Sequence, residues 1–171
     1  MQKSLPIGPE ERPNAAMEET DGDGIVLQEI TIAANEYAAL IDYLSGQLPH
    51  EGCAALIGHD DGADGRLRIA RIKPLTNVAP DNRRSRFVAD PREWTKLLFE
   101  APTDGARLLG IAHSHPSAAP APSAEDAGTL WHTLPTHWIV SFAAPARPVV
   151  RAYQIRPCLP AREQSLRIVH G

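Results

Sequence analysis

His113 and His115 stand two residues apart at the end of an apolar run over residues 108–112. On a β-strand, side chains at i and i+2 leave the same face, so both imidazoles can reach one ion. The Ala- and Pro-rich stretch 117–122 is a stiff loop with enough length to reverse the chain, and Ser123-Ala124-Glu125-Asp126 then opens a helix. The first turn of that helix returns beside the histidines and offers the Asp126 carboxylate as a third ligand. Two imidazole nitrogens and one carboxylate oxygen leave a fourth tetrahedral position for water, which separates a catalytic zinc site from a structural one. Each fragment alone is ordinary. An H-x-H pair is more often two surface or strand histidines, and Ser-x-x-Asp ahead of Leu130 and Trp131 is close to a capping box that needs no metal. It is the joint pattern that predicts one zinc per chain, held by His113, His115 and Asp126.

That joint pattern, His113-Ser114-His115, seven residues over 116–122, then Ser123-Ala124-Glu125-Asp126, resembles the JAMM motif of the MPN+ (JAB domain) zinc metallopeptidases. The motif reads H-x-H-x(7)-S-x-x-D with a Glu at the start of an earlier strand, and Pro49-His50-Glu51-Gly52-Cys53 supplies that Glu. The match looks closest to the short bacterial members and covers roughly residues 30–155. The resemblance implies an α/β fold: a curved mixed β-sheet flanked by helices, similar to the cytidine deaminase fold. It makes His113, His115 and Asp126 the zinc ligands and Glu51 the general base, which takes a proton from the zinc-bound water and returns it to the leaving amine. Ser123 becomes a hydrogen-bond donor to the oxyanion. The chemistry is coherent in its own right: zinc lowers the pKa of its water to about 7, a nearby carboxylate accepts the proton, and a hydroxyl stabilises the developing charge. Without the downstream motif Glu51 reads as a solvated acid in a loop. For Ser123, helix capping holds alongside the catalytic role.

Short bacterial relatives of this kind are linked to ubiquitin-like and sulfur-carrier proteins, whose tails end in small residues. The expected activity is therefore hydrolysis of a peptide or isopeptide bond near such a C-terminus. The insertions with which eukaryotic relatives grip ubiquitin chains are absent at this length, so polyubiquitin is not the expected natural substrate. The alternative is a non-catalytic MPN-like scaffold, against which the intact ligand set argues. A zinc deaminase would need H-x-E and P-C-x-x-C, both missing, with Cys158 lacking a companion. The DNA-associated RadC family shares a similar motif, but the acidic charge and the missing DNA-binding module weigh against it.

The elements that must position these residues follow from periodicity. Residues 25–32 read as a strand, followed by a helix to about Leu48 with Tyr37, Leu40, Ile41, Leu44 and Leu48 on one apolar face. Residues 53–57 form a short buried strand, and His59-Asp60-Asp61-Gly62 a turn. Residues 67–72 alternate apolar with Arg, as a strand with one wet face does, and 86–89 is another short strand candidate. Asp90-Pro91-Arg92-Glu93 has the signature of a helix start, continued by Trp94, Leu97 and Leu98 on one face. Residues 108–112 form the next buried strand, 123–134 a helix, and 138–142 and 149–155 the last strands; the final residues carry no clear pattern. Alternation of this kind implies helices packed on a central sheet.

The chain of 171 residues, 43% hydrophobic and 22% charged, suits one compact domain with a real core. Residues 1–24 read as a flexible tail and 25–171 as the metallopeptidase domain; Asp21-Gly22-Asp23-Gly24 reads as a turn, since the remaining ligands of a calcium loop are missing. A net charge of −4 and pI of about 6.0 argue against broad nucleic-acid binding. No apolar stretch reaches membrane-spanning length and no secretory signal opens the chain, so a cytoplasmic protein is expected. Cys53 and Cys158 fit no disulfide framework or metal clip; Cys53 reads as a small buried hydrophobe, although it could face the same side as Glu51. His50, His59, His132, His137 and His170 lack partners at ligand spacing and read as surface or capping residues. Ser114 points away from the histidine pair and carries no assigned chemistry. Arg83, Arg84 and Arg86, near Asn77 and Asp81, form either a solvated loop or a contact to an acidic substrate.

Overall fold

The structure, a computed structural model, describes residues 29–61, 65–100, 105–128 and 131–170. The expected tail and the 21–24 turn lie outside them, as do residues 25–28 of the first expected strand, whose described part is β1 (Glu29–Ala33). Helix α1 (Ala34–Ser45) follows without a break. Its three- and four-residue spacing turns Leu40 and Leu44 fully inward, with Tyr37, Ile41 and Leu48 packed beside them.

Strand β2 (Cys53–Asp60) pairs antiparallel with β3 (Arg66–Leu75). His59 and Asp60 belong to this ladder, opposite Arg68 and Leu67, rather than to the expected turn, because the antiparallel pairing continues past Gly58. In β3, Leu67 and Ile69 are buried while Arg66 and Arg68 are exposed, the half-wet alternation read from the sequence. Strand β4 (Arg107–His115) runs antiparallel to β2 and parallel to β5 (Thr136–Ser141), and β6 (Val149–Gln154) returns antiparallel to β5.

The sheet does not stay open. Strand β7 (Arg162–Val169), from the patternless C-terminal stretch, pairs antiparallel with β6 and parallel with β1. The strands therefore close a mixed barrel in the order β1-β3-β2-β4-β5-β6-β7, so the mixed sheet expected to be curved goes on to close on itself. Leu166 and Ile168 pack against the core while Ser165 and Arg167 face out, so closure rests on two apolar side chains at period two.

Two further elements differ from their expected form. Helix α2 (Pro91–Glu100) starts as expected, with the Asp90 Oδ1 accepting the Arg92 N–H at 2.8 Å, and it buries Leu97. Leu98, however, is 52% exposed and Phe99 83%, because the sheet meets only a narrow stripe through Trp94 and Leu97. The helix expected over 123–134 is the single turn α3 (Ala124–Ala127), closed by the Gly128 N–H on the Ala124 and Glu125 carbonyls. Trp131, which lies in a turn, meets Trp94 with ring centroids 4.1 Å apart. Residues 86–89 form no strand beyond a single bridge between Asn77 and Ala89.

Strand β4 separates two cores. One joins Leu40 and Leu44 of α1 to Ile30, Leu56, Leu67, Leu109 and Trp138. The other joins Cys53, Ala55, Ile57 and Leu75 to Leu97 under α2.

Candidate metal centre

The end of β4 is held on both sides, with Cys53 of β2 opposite His113 and Ile139 and Ser141 of β5 beside His113 and His115. At its middle, a Cβ on Gly110 would stand 2.3 Å from the Thr136 carbonyl oxygen, so only glycine lets β5 approach this closely. Both imidazoles leave the α2 side of the strand and are nearly buried, at 3% and 5% exposure. Their Nε2 atoms converge to 3.1 Å. The Phe87 ring stacks on His113 with centroids 4.7 Å apart. The His115 Nδ1 lies 2.8 Å from the Ala119 carbonyl, which can only accept, so Nδ1 carries a hydrogen and a neutral His115 presents a bare Nε2 lone pair to the cluster.

Asp126 is aimed by its own turn. The Ser123 Oγ accepts the Asp126 N–H at 3.1 Å, and the Asp126 Oδ2 accepts the Ser123 N–H at 2.8 Å, a reciprocal capping box. The same carboxylate sets Oδ1 3.1 Å from His113 Nε2 and Oδ2 3.5 Å from His115 Nε2. Four tetrahedral ligands on zinc stand about 3.3 Å from one another at ordinary Zn–N and Zn–O lengths, so this donor set fits the ion in kind and spacing. No other group of three such side chains converges among the described residues. Burial opposes the charge on Asp126, but hydrogen bonds from His113 and His115 hold its carboxyl far below the usual carboxylate range. Burial likewise opposes a proton on His115, and the hydrogen bonds to Asp126 and Ala119 outweigh it, raising the pKa.

Glu51 and Ser123 open on the same cleft as these three residues, a cavity of about 550 Å³ walled by Phe87, Val88, Ile111 and Trp131. Glu51 is not a solvated loop acid, since only 6% of it is exposed. Burial pushes its pKa up to about 7, with His115 pulling down and Asp126 and Glu125 pushing up. Ser114, read as inert, anchors this corner: its Oγ accepts the Gly52 N–H at 2.8 Å and its own N–H reaches the Gly52 carbonyl at 3.0 Å. The middle residue of H-x-H faces the opposite side of the strand by the same alternation that pairs the histidines.

His137 lies beside Ile111 on β5, is 3% exposed and lines the cleft, so it is neither a surface nor a capping residue. Its Nε2 faces the Trp131 carbonyl at 3.1 Å. No spacing in the sequence signalled His137, Phe87 or Trp131 as cleft residues: the expected strand began at Trp138, and Phe87 and Trp131 fall in irregular segments. Cys53 is fully buried with its Sγ toward the Leu75 carbonyl, and burial pushes its thiol up to about 12; both cysteines are free. Arg84 and Arg86 are exposed at the cleft edge, and His50 and His170 are exposed elsewhere.

The family described as prokaryotic homologs of the JAB domain matches residues 33–156. A desampylase from Haloferax volcanii is 33% identical over 82 residues, 48% of this chain and 55% of that protein, so the chain spans about half the length of this curated relative. A solution structure from Desulfitobacterium hafniense superposes with a TM-score of 0.73 at 30% identity, covering 83% of this chain and 94% of the other. One from Salinibacter ruber gives 0.59 at 25% identity, covering 82% and 91%. A JAB1/MPN domain protein from Archaeoglobus fulgidus gives 0.52 at 19% identity, covering 81% and 98%, a likeness of fold.

Proposed function

The chain belongs to the prokaryotic JAB-domain family as a member of short bacterial type, and on that premise we propose that it is a zinc-dependent peptidase or isopeptidase. The observation that carries the reading is the convergence of His113 Nε2, His115 Nε2 and the Asp126 carboxylate at 3.1 to 3.5 Å in one cleft with the buried Glu51. His113, His115 and Asp126 would hold one zinc. The ion, when bound, supplies Lewis acidity that activates water and polarises the scissile carbonyl.

The chain's own groups do the rest. Glu51, whose pKa of about 7 suits it to both accept and release a proton near neutrality, takes the proton from the attacking water and passes it to the leaving amine. Ser123 spends its oxygen lone pair on the Asp126 N–H and keeps its hydroxyl hydrogen to donate toward the oxyanion that forms on the substrate. Phe87 and the Ala119 carbonyl fix the two imidazole planes, so little reorganisation accompanies the reaction.

The substrate class we assign is the C-terminal tail of a ubiquitin-like or sulfur-carrier protein. The likeness to a desampylase supports that class, and an extended tail suits an open groove beside irregular backbone at residues 84–88. The test is to measure zinc per chain and incubate the loaded protein with a carrier bearing extra residues beyond its terminal Gly, following the mass. Trimming that stops at Gly, and fails when that Gly becomes Val, is the expected result. A folded chain with one zinc that cleaves no carrier tail would overturn the substrate assignment, and a chain that takes up no zinc would overturn the mechanism.

A further inference from the structure

Glu51 precedes β2, so the sheet ladder does not hold its peptide groups. Both are taken up by the cleft wall. The Glu51 N–H reaches the Arg83 carbonyl at 2.7 Å, and the Glu51 carbonyl accepts from the Asn77 Nδ2 at 2.9 Å. Asn77 spends its whole hydrogen-bonding capacity at this point. Its second Nδ2 hydrogen reaches the Arg86 carbonyl at 3.0 Å, and its Oδ1 accepts the Ala79 and Val88 N–H groups, each at 3.0 Å. The segment between those two amides carries Arg84, Ser85, Arg86 and Phe87, which line the cleft. Backbone bonds from Val78 to Val88 and from Asp90 to Thr76 close the neck of the loop without Asn77.

We infer that Asn77 is a positioning residue for the reaction: one side-chain amide fastens the Glu51 peptide to the wall against which substrate lies. The two ends of the amide divide the work. The oxygen shapes the wall, and the nitrogen bridges the Glu51 and Arg86 carbonyls and so ties Glu51 to it. A general base must sit within hydrogen-bond reach of the proton it takes, and a displacement of about 1 Å can cost on the order of 10²-fold in rate. The role rests on the assignment of Glu51 as the base.

Asn77→Asp separates the two ends, because a carboxylate still accepts from Ala79 and Val88 but donates nothing to Glu51 or Arg86. Amide hydrogen exchange on the zinc-loaded, full-length chain reads the Glu51 N–H, with the Ser114 N–H, bonded to the Gly52 carbonyl on the β4 side, as internal control. The expected result is a Glu51 amide that exchanges about tenfold faster or more in Asn77→Asp, with Ser114 unchanged and zinc still one per chain. On the extended carrier, kcat should fall about tenfold with KM little changed, and Asn77→Ala, which also releases the wall, should raise KM as well. Unchanged Glu51 exchange, or equal acceleration at Glu51 and Ser114, would overturn the inference and leave Asn77 a residue of general stability. The exchange arm needs no turnover. Loss of activity in Glu51→Gln but not in Asn77→Asp would sink only the positioning role, whereas full activity in Glu51→Gln would sink the base assignment beneath it.

Discussion

Two carboxylates share the cleft and are driven to opposite states. Asp126, held by its own capping box beside two imidazoles, is pushed toward the ionised state, while burial lifts Glu51 to about 7. Such divergence in neighbouring titratable groups suits Asp126 to the ligand role and Glu51 to the acid–base role proposed for them. His113→Ala, His115→Ala and Asp126→Ala should therefore each strip most of the zinc, read by elemental analysis; full occupancy in the double histidine variant would contradict the ligand assignment. Acid should act in the same direction. In the metal-free chain His115 holds its proton above its ordinary pKa of 6.5, so proton competition begins above that pH and deepens as pH falls. Zinc affinity measured against a competing chelator should decline steadily on acidification, and a flat profile would be inconsistent with imidazole ligands. His137 behaves differently. Burial depresses its pKa from 6.5 to about 4, only partly opposed by the Trp131 carbonyl. The unfolded chain thus binds the proton first: the stability is fully present above pH 6.5 and is lost as pH falls toward about 4, roughly 3 kcal/mol in all. Between pH 7 and about 4.5 the urea midpoint of His137→Gln should fall less than that of the natural chain, and equal falls would exclude this residue as the cause. The convergence of His113, His115 and Asp126 was legible from their spacing, whereas Glu51 and Ser123 were singled out only through the resemblance to the JAMM motif. Ser114, Asn77 and His137 were legible by neither route, since their roles depend on partners 62, 26 and 6 positions away in the chain.

The capping box shows how one short element serves two ends. Ser123 terminates the loop, starts α3 and orients the Asp126 carboxylate beside His113 and His115. Ser123→Ala should cost about 0.5 to 2 kcal/mol through the lost cap and, by freeing Asp126, weaken zinc binding as well as lower kcat. Loss of stability with unchanged zinc affinity and turnover would confine Ser123 to capping. Element types were readable where apolar residues recurred at helical spacing, as in α1, or ran unbroken, as in β2 and β4. They failed where a contact across the fold decided the outcome. Trp131 leaves the expected helix to meet Trp94, His59 and Asp60 extend β2 because β3 lies opposite, and β7 exists because β1 and β6 both present open edges to it.

Closure of the barrel makes the fold a single cooperative object, in which β1 takes hydrogen bonds from β3 on one side and β7 on the other. Removing residues 160–171 would open both edges beside the core formed by Ile30, Ile32 and Leu40. Loss of the cooperative thermal transition is expected, and an unchanged midpoint would mean that β7 is dispensable. The membrane expectation meets one structural fact, that no helix among the described residues is long and apolar enough to cross a bilayer. What the whole molecule presents is an open cleft of about 550 Å³ lined by Glu51 and by three convergent side chains that could hold a metal ion. The most direct test of the account is a mass trace of an extended ubiquitin-like carrier incubated with the zinc-loaded natural chain and, in parallel, with zinc-loaded Glu51→Gln. The account predicts that the natural chain trims the carrier to its terminal Gly while Glu51→Gln, carrying the same zinc, does so about 10² to 10⁴ times more slowly. Equal trimming by both proteins, or none by a natural chain holding one zinc, would contradict it.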